Sequence, residues 1–297
     1  MTENEFLLQD RLGVIRDTIN KYGEENFYIS FSGGKDSTVV HHLVDMALPG
    51  NKIPRVFSNT GIEYNYIVEY VREREREDDR FIEIKPSMNI KQTLEKYGYP
   101  FKSKMHSKWL DTYQRDGMLP GIKNYLGEGD KELFRPCPKA LKYQFSDDFK
   151  LRVSDKCCMK MKEEPINKWK EENNKPYGIL GIMQEEGGRR FNSGCLAFRG
   201  GKLINFQPLA KVTTEWEKWF IDEYNIELCK LYYEPYNFDR TGCKGCPFAL
   251  NLERDLKIMD KYFPNERKQC EIIWKPVYDE YRRIGYRLEK EEQTKLF

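Results

Sequence analysis

The sequence contains no apolar run approaching the roughly 18 residues that a membrane span requires, so membrane work is not expected of it. Its first residues, Met1-Thr2-Glu3-Asn4-Glu5, are acidic and lack an apolar signal core, which predicts a cytoplasmic rather than a secreted protein. Charge of one sign is also missing: 50 basic residues stand against 48 acidic ones, for a net +2. That balance gives no global nucleic-acid signature and leaves only local patches open. Histidine is scarce: there are 3, His41, His42 and His106, which argues against a histidine metal site. Internal repeats and low-complexity linkers are absent as well.

What is present suits a globular protein with a heavily charged surface. The 297 residues are 39% hydrophobic and 33% charged, enough for one large domain or two ordinary ones. There are 8 cysteines, and without an export signal they should be reduced thiols. They fall as an adjacent pair, Cys157-Cys158, a C-x-x-C at Cys243 and Cys246, and four singles. A reduced chain that pairs cysteines in this way invites a metal reading.

The apolar pattern organises the chain. Residues 5–22 place Phe6, Leu7, Leu12, Ile15 and Ile19 near helical spacing. Phe27 to Phe31 is a short apolar run ending at Gly33-Gly34, as a buried strand entering a turn would be. A helix over Thr38 to Leu48 follows, then strands at Ile53 to Ser58 and Phe81 to Ile84 with the charged segment 65–79 as a surface helix between them. Tyr177 to Ile182 and Lys202 to Phe206 read as later strands. This alternation predicts an α/β fold, a Rossmann-like doubly wound parallel sheet, with a helical C-terminal region. The division expected is an N-terminal helix over 1–24, a nucleotide-binding domain over 25–210 with an insertion at 99–150, and a helical region over 211–297.

Ser32-Gly33-Gly34-Lys35-Asp36-Ser37 lies between a predicted strand and a predicted helix. Glycine lets the backbone approach a phosphate closely, the helix N-terminus offers N–H groups and a positive dipole end, and Lys35, Ser32 and Ser37 add a cation and hydroxyl donors. The pattern is neither G-x-x-x-x-G-K-[ST] nor G-x-G-x-x-G. The bland alternative is a glycine turn carrying an exposed lysine. The residues resemble the S-G-G-x-D-S signature of the PP-loop ATP-pyrophosphatase superfamily, in which the loop holds the pyrophosphate or sulfate end of an adenine nucleotide. Ser58-Asn59-Thr60-Gly61 is similar to the D-T-G segment of phosphoadenylyl-sulfate reductases, with Asn59 in place of the acid. The resemblance implies that Asn59, Thr60 and Gly61 help to bind the nucleotide.

The cysteine layout, a Cys-Cys pair and a distant C-x-x-C, is similar to that of the adenylyl-sulfate reductases that carry a 4Fe–4S cluster. Lys156-Cys157-Cys158 through Lys162, Glu164-Pro165-Ile166 resembles their C-C-x-x-x-K-x-x-P-L, and Tyr236 through Gly242-Cys243 and Cys246 their Y-x-x-x-x-x-G-C-x-x-C. Gln207-Pro208-Leu209 followed by Trp216 is loosely like their N-P-L-x-x-W-T. Cys157, Cys158, Cys243 and Cys246 are the ligands this implies, with Lys162 beside the cluster or on a substrate anion. Four thiolates also suit the cluster chemically. A structural Cys₄ zinc site and buried unligated thiols remain the alternatives, although adjacent cysteines share one tetrahedral zinc poorly because consecutive side chains diverge.

Gly181-Ile182-Met183 through Arg189-Arg190 occupies the place of the reductases' G-I-R-x-x-Q-x-x-x-R segment. Met183 stands where the first arginine would be, and Arg189 and Arg190 are the expected phosphate or sulfate donors; a solvated basic turn is the alternative. Lys35, Lys162 and Arg190 are the expected catalytic cations. The related reductases carry a nucleophilic cysteine in a C-terminal E-C-G-L-H tail, whereas here no cysteine follows Cys270. The expectation is therefore an ATP-pyrophosphatase-type adenylation with sulfur transfer, as in DNA phosphorothioation or tRNA thiolation. It would use ATP or an adenylyl sulfate, Mg²⁺ and a 4Fe–4S cluster, with a sulfur donor and a nucleic-acid acceptor. The alternatives are thiol-dependent reduction of a sulfonucleotide, with a thioredoxin-like reductant and a relocated thiol such as Cys137 or Cys195, and a non-catalytic nucleotide sensor.

Overall fold

The computed structural model describes residues 1–133, 135–186 and 194–290. The chain forms two compact units: Met1–Asn59, Glu63–Pro86 and Glu164–Thr241 make the first, and Thr60–Ile62, Ser87–Glu163 and Gly242–Phe297 the second.

The first unit is built on a parallel sheet. Helix α1, Glu3–Tyr22, starts on a capping box between Thr2 and Glu5, which satisfies two of its orphan N–H groups. Strand β1, Phe27–Ser30, leads through the glycine loop into α2, Lys35–Ala47. Then come β2, Arg55–Ser58, α3, Asn65–Glu77, and β3, Phe81–Ile84. The chain returns to this unit with α8, Glu164–Glu172, β4, Tyr177–Ile179, β5, Leu196–Arg199, β6, Lys202–Phe206, and α9, Thr214–Glu223. The strand order is β3-β2-β1-β4-β6-β5. Every pairing is parallel except β5 with β6, which is antiparallel and irregular between Ala197 and Phe198.

Strands buried on both faces read as near-continuous apolar runs, and Phe27, Tyr28 and Ile29 of β1 are all buried. On one face of the sheet Leu12, Ile15 and Ile19 of α1 and Val40, Leu43 and Val44 of α2 join Phe206, Trp216 and Phe220 in one core. On the other, Trp169 of α8 packs edge-on against Tyr28, with ring centroids 5.8 Å apart. The order in which strands are added to the sheet switches sides between β1 and β4, which are themselves parallel, and such a switch point leaves a crevice at the carboxyl ends of the strands.

The second unit is helical among its described residues. It holds α4, Ile90–Tyr97, α5, Lys104–Asp116, α6, Pro120–Leu126, and the short α7, Lys156–Cys158, which runs into a π-turn over Met159–Glu163. After Gly242 come α10, Leu252–Tyr262, and α11, Pro264–Ile284. Residues 99–150, read from sequence as a Lys-, Tyr-, Gly- and Pro-rich insertion, thus contribute ordered helices, and Phe101, Tyr125 and Phe145 of this stretch are buried. Phe101 meets Tyr281 at 4.6 Å and Trp109 stacks on Tyr125 at 6.1 Å between centroids. No helix among the described residues is long and apolar enough to cross a membrane.

Candidate functional site

The glycine loop lies at the β1–β4 switch point, where a cavity of about 290 Å³ opens. Its wall is made by Ser30, Ser32, Gly34, Lys35, Asp36 and Ser37 from one side, Leu180, Gly181 and Ile182 from the end of β4, and Tyr232, Asp239, Arg240 and Thr241 from beyond α9. Gly33 turns the chain at φ +71°, where a side chain would be strained. Gly181 is required by proximity, because a Cβ there would stand 2.8 Å from the backbone oxygen of Asp36.

The loop's N–H groups face hydroxyls. The Ser32 amide donates to Ser37 Oγ at 3.2 Å, the Gly34 amide to Ser32 Oγ at 3.2 Å, and the Lys35 amide to Tyr232 Oη at 3.1 Å. Tyr232 Oη in turn lies 2.6 Å from Thr241 Oγ1. Ser37 and Thr38 anchor the loop from behind by donating to the Gly34 carbonyl, at 2.8 and 3.0 Å. Amides at a helix start, backed by hydroxyls and a lysine, form a cradle suited to a phosphate or sulfate.

The Lys35 ammonium reaches across to α9 and meets Glu217 Oε2 at 2.6 Å. Glu217 is buried, with its side chain only 1% exposed. Burial, followed by the neighbouring Asp36 carboxylate, pushes its carboxyl up to about 7 against the pull of Lys35. Sequence reasoning missed Glu217, Tyr232 and Thr241. One signal was available for Glu217: it lies between Trp216 and Phe220 on the buried arc of α9, where a lone carboxylate needs a reason.

Asn59 is not among the residues lining the cavity; its side-chain Nδ2 donates to Glu83 Oε1 at 3.1 Å. Thr60 and Gly61 belong to the second unit, where the following Ile62 carbonyl accepts from the Lys244 amide at 2.8 Å. Arg189 and Arg190 lie outside the described residues.

Cys157, Cys158, Cys243 and Cys246 all fall in the second unit. Cys157 is buried and the other three are half-buried. Burial pushes the Cys157 thiol well above its ordinary range, and the sulfurs of Cys243, Cys158 and Cys246 push it further, with Lys162 in opposition. Cys246 is raised by burial and by Cys243 and Cys158, again opposed by Lys162. Cys157 therefore senses the other three sulfurs, and Lys162 acts on both Cys157 and Cys246. Among the described residues no three His, Cys, Asp or Glu side chains stand at metal-bonding positions.

The C-x-x-C turn is held from behind. Trp274 Nε1 donates to the Lys244 carbonyl at 3.1 Å, Tyr278 Oη to that of Gly245, and Tyr281 Oη to that of Pro247 at 3.0 Å. Arg287 donates to the Ala249 carbonyl at 3.1 Å, and Lys244 Nζ meets the buried Glu266 at 3.2 Å. Four thiols gathered in a half-buried place beside a lysine repel as free thiolates and are relieved only by protons or a bound cation. That donor set fits a 4Fe–4S cluster.

The single cysteines sit elsewhere. Burial lifts Cys137 and Cys229 each to about 11, which makes them poor nucleophiles. Cys195 accepts from Arg11 Nη1 at 3.3 Å and is not among the residues lining the loop cavity.

A parallel sheet with a phosphate-type cradle at its switch point defines an α/β protein of the nucleotide-binding class. The chain matches the family model of the phosphoadenosine phosphosulfate reductase domain over residues 26–126 and 136–249, and it belongs to that family. An uncharacterized protein of Methanocaldococcus jannaschii is 24% identical over 282 residues, 93% of this chain and 55% of the relative, so the chain spans about half the length of that curated relative. Among solved structures, the phosphoadenylyl-sulfate reductase of Candida auris is similar with a TM-score of 0.45 and 12% identity, covering 78% of this chain and 91% of the other. The U34-tRNA thiolase NcsA of Methanococcus maripaludis, solved with its 4Fe–4S cluster, is similar with a TM-score of 0.41 and 15% identity, covering 98% and 82%.

Proposed function

We propose that the protein is an enzyme of sulfur metabolism that binds ATP at the glycine loop, activates an acceptor oxygen by adenylation with release of pyrophosphate, and then replaces that oxygen with sulfide-level sulfur as AMP leaves. The observation that carries this reading is the loop cavity. Backbone N–H groups, serine hydroxyls and Lys35 line it, and no thiol is among its described lining residues. Adenylation needs an anion cradle, a divalent ion such as Mg²⁺ and a positioned acceptor. In the reaction an acceptor oxygen attacks the α-phosphate, and pyrophosphate leaves toward Lys35, Ser32, Gly33, Gly34 and Ser37. Reduction of a sulfonucleotide instead needs a thiol at the sulfate sulfur.

Cys157, Cys158, Cys243 and Cys246 are the proposed ligands of a 4Fe–4S cluster, which when bound would supply a site for sulfide or for electrons. Lys162 offsets its negative charge. Arg189 and Arg190 are proposed as further anion donors, and Asn59, Thr60 and Gly61 as further nucleotide-binding residues. A sulfur donor and a nucleic-acid acceptor complete the reading. Family membership favours one second reading, thiol-dependent reduction of phosphoadenylyl sulfate or adenylyl sulfate with a thioredoxin-like partner.

Titration calorimetry with ATP tests the first step. The native protein should bind, and Lys35→Ala should lose about tenfold or more in affinity, as removal of a charge-assisted contact predicts. Equal affinity in both proteins would show the loop to be a turn and nothing more.

A further inference from the structure

Glu217 is poorly explained as a structural residue. One of its oxygens holds Lys35 at 2.6 Å, while the other, Oε1, is buried without a hydrogen-bond partner. A carboxylate kept for stability would have both oxygens satisfied, and a buried ion pair contributes little net stability in any case. The charged groups facing Glu217 are Lys35 and Asp36, both on α2. Exposed Glu185, ahead of α9, acts on Lys35 rather than on Glu217. Helix α1 meets α9 through an uncharged contact, the Trp216 indole donating to the Asn4 carbonyl at 3.0 Å.

We infer that Glu217 is a positioning residue of the nucleotide site: it holds the Lys35 ammonium ready, and surrenders it by taking up a proton when a phosphate group enters. An incoming phosphate is a third anion around one ammonium, beside Asp36 and Glu217. The three cannot all stay charged without repulsion, and the weakest acid among them yields. That group is Glu217, already raised by burial and by Asp36. Nucleotide binding is therefore linked to proton uptake near neutral pH. Protonated Glu217 leaves Lys35 wholly to the phosphate, so affinity is highest below the carboxyl's pKa and falls as pH rises through it. One linked proton allows at most about tenfold per pH unit.

The inference rests on the loop being a nucleotide site. Its test measures metal-free ATP binding to the native protein and to Glu217→Gln from about pH 6 to about pH 8.5. ATP's own titration is common to both proteins, so the difference between them reports Glu217. The native protein should weaken relative to Glu217→Gln as pH rises, with the variant about threefold or more tighter at the alkaline end. Calorimetry of the native protein in buffers of different ionisation heat gives a reading that needs no variant: proton uptake beyond that of ATP itself. Parallel affinities at every pH, or binding without added uptake, would overturn the inference and leave the nucleotide site standing. Failure of native protein to bind ATP at any pH would instead remove the reading beneath it, and the inference with it.

Discussion

Lys35→Ala perturbs the phosphate cradle and a buried charge together, and the second effect has a worked magnitude. Lys35 Nζ lies 2.6 Å from a carboxylate that is 1% exposed and whose other oxygen has no partner. Removing one member of such a pair costs about 3–5 kcal/mol when the remaining charge has no escape. Glu217 has one, since burial and Asp36 already place it near 7, and loss of Lys35 raises it further, so that it binds a proton instead. A carboxyl raised in the folded state binds more protons folded than unfolded. Its effect on stability is absent below the unfolded pKa, and stability is then lost as pH rises toward the folded pKa, by at most about 1.4 kcal/mol per unit. In the native protein that loss ends near pH 7, where the carboxyl titrates at about 7, whereas in the variant it continues upward. Lys35→Ala should therefore lie within about 1 kcal/mol of native stability near pH 6 and about 2 kcal/mol below it near pH 8.5. Adding Glu217→Gln should abolish the difference. Urea unfolding followed by tryptophan fluorescence reads all three proteins. A loss of equal size at both pH values would refute the reasoning, because no proton would then have rescued the stranded carboxylate.

Two further outcomes are expected. Anaerobically purified protein should hold about four irons per chain, and serine at Cys157, Cys158, Cys243 or Cys246 should each remove them, whereas Cys229→Ser should not; stoichiometric zinc in place of iron would overturn the cluster reading. Gly181→Val sets a side chain 2.8 Å from the Asp36 carbonyl oxygen at the start of α2. It should cost about 1–3 kcal/mol of stability and weaken ATP binding about tenfold or more, and an unchanged binding isotherm would show that the loop tolerates the displacement.

The elements around the loop were legible because their signals are local. Phe27 to Ile29 is an uninterrupted apolar run, and it is a buried central strand; the Ser-Gly-Gly-Lys-Asp-Ser turn follows within a few residues. Strand β5 was not legible. It is a half-exposed edge with an irregularity between Ala197 and Phe198, which breaks the period-two pattern on which strand reading depends. The aromatic clamp on the C-x-x-C turn was invisible for another reason. Trp274, Tyr278 and Tyr281 recur at helical spacing, as core residues do, and only the fold reveals that their polar ends meet the carbonyls of Lys244, Gly245 and Pro247. Tyr232 and Thr241 reach the loop from about 200 residues away along the chain, a distance that no motif spans.

Product analysis distinguishes adenylation from sulfonucleotide reduction. Protein purified without oxygen is incubated with ATP and Mg²⁺ while pyrophosphate is followed, and in parallel with adenylyl sulfate and thioredoxin while sulfite is followed. Slow pyrophosphate release that Lys35→Ala abolishes is expected, together with little sulfite. Ready sulfite formation without pyrophosphate, stopped by Cys195→Ser or Cys137→Ser, would contradict adenylation and make the protein a sulfonucleotide reductase with a relocated thiol.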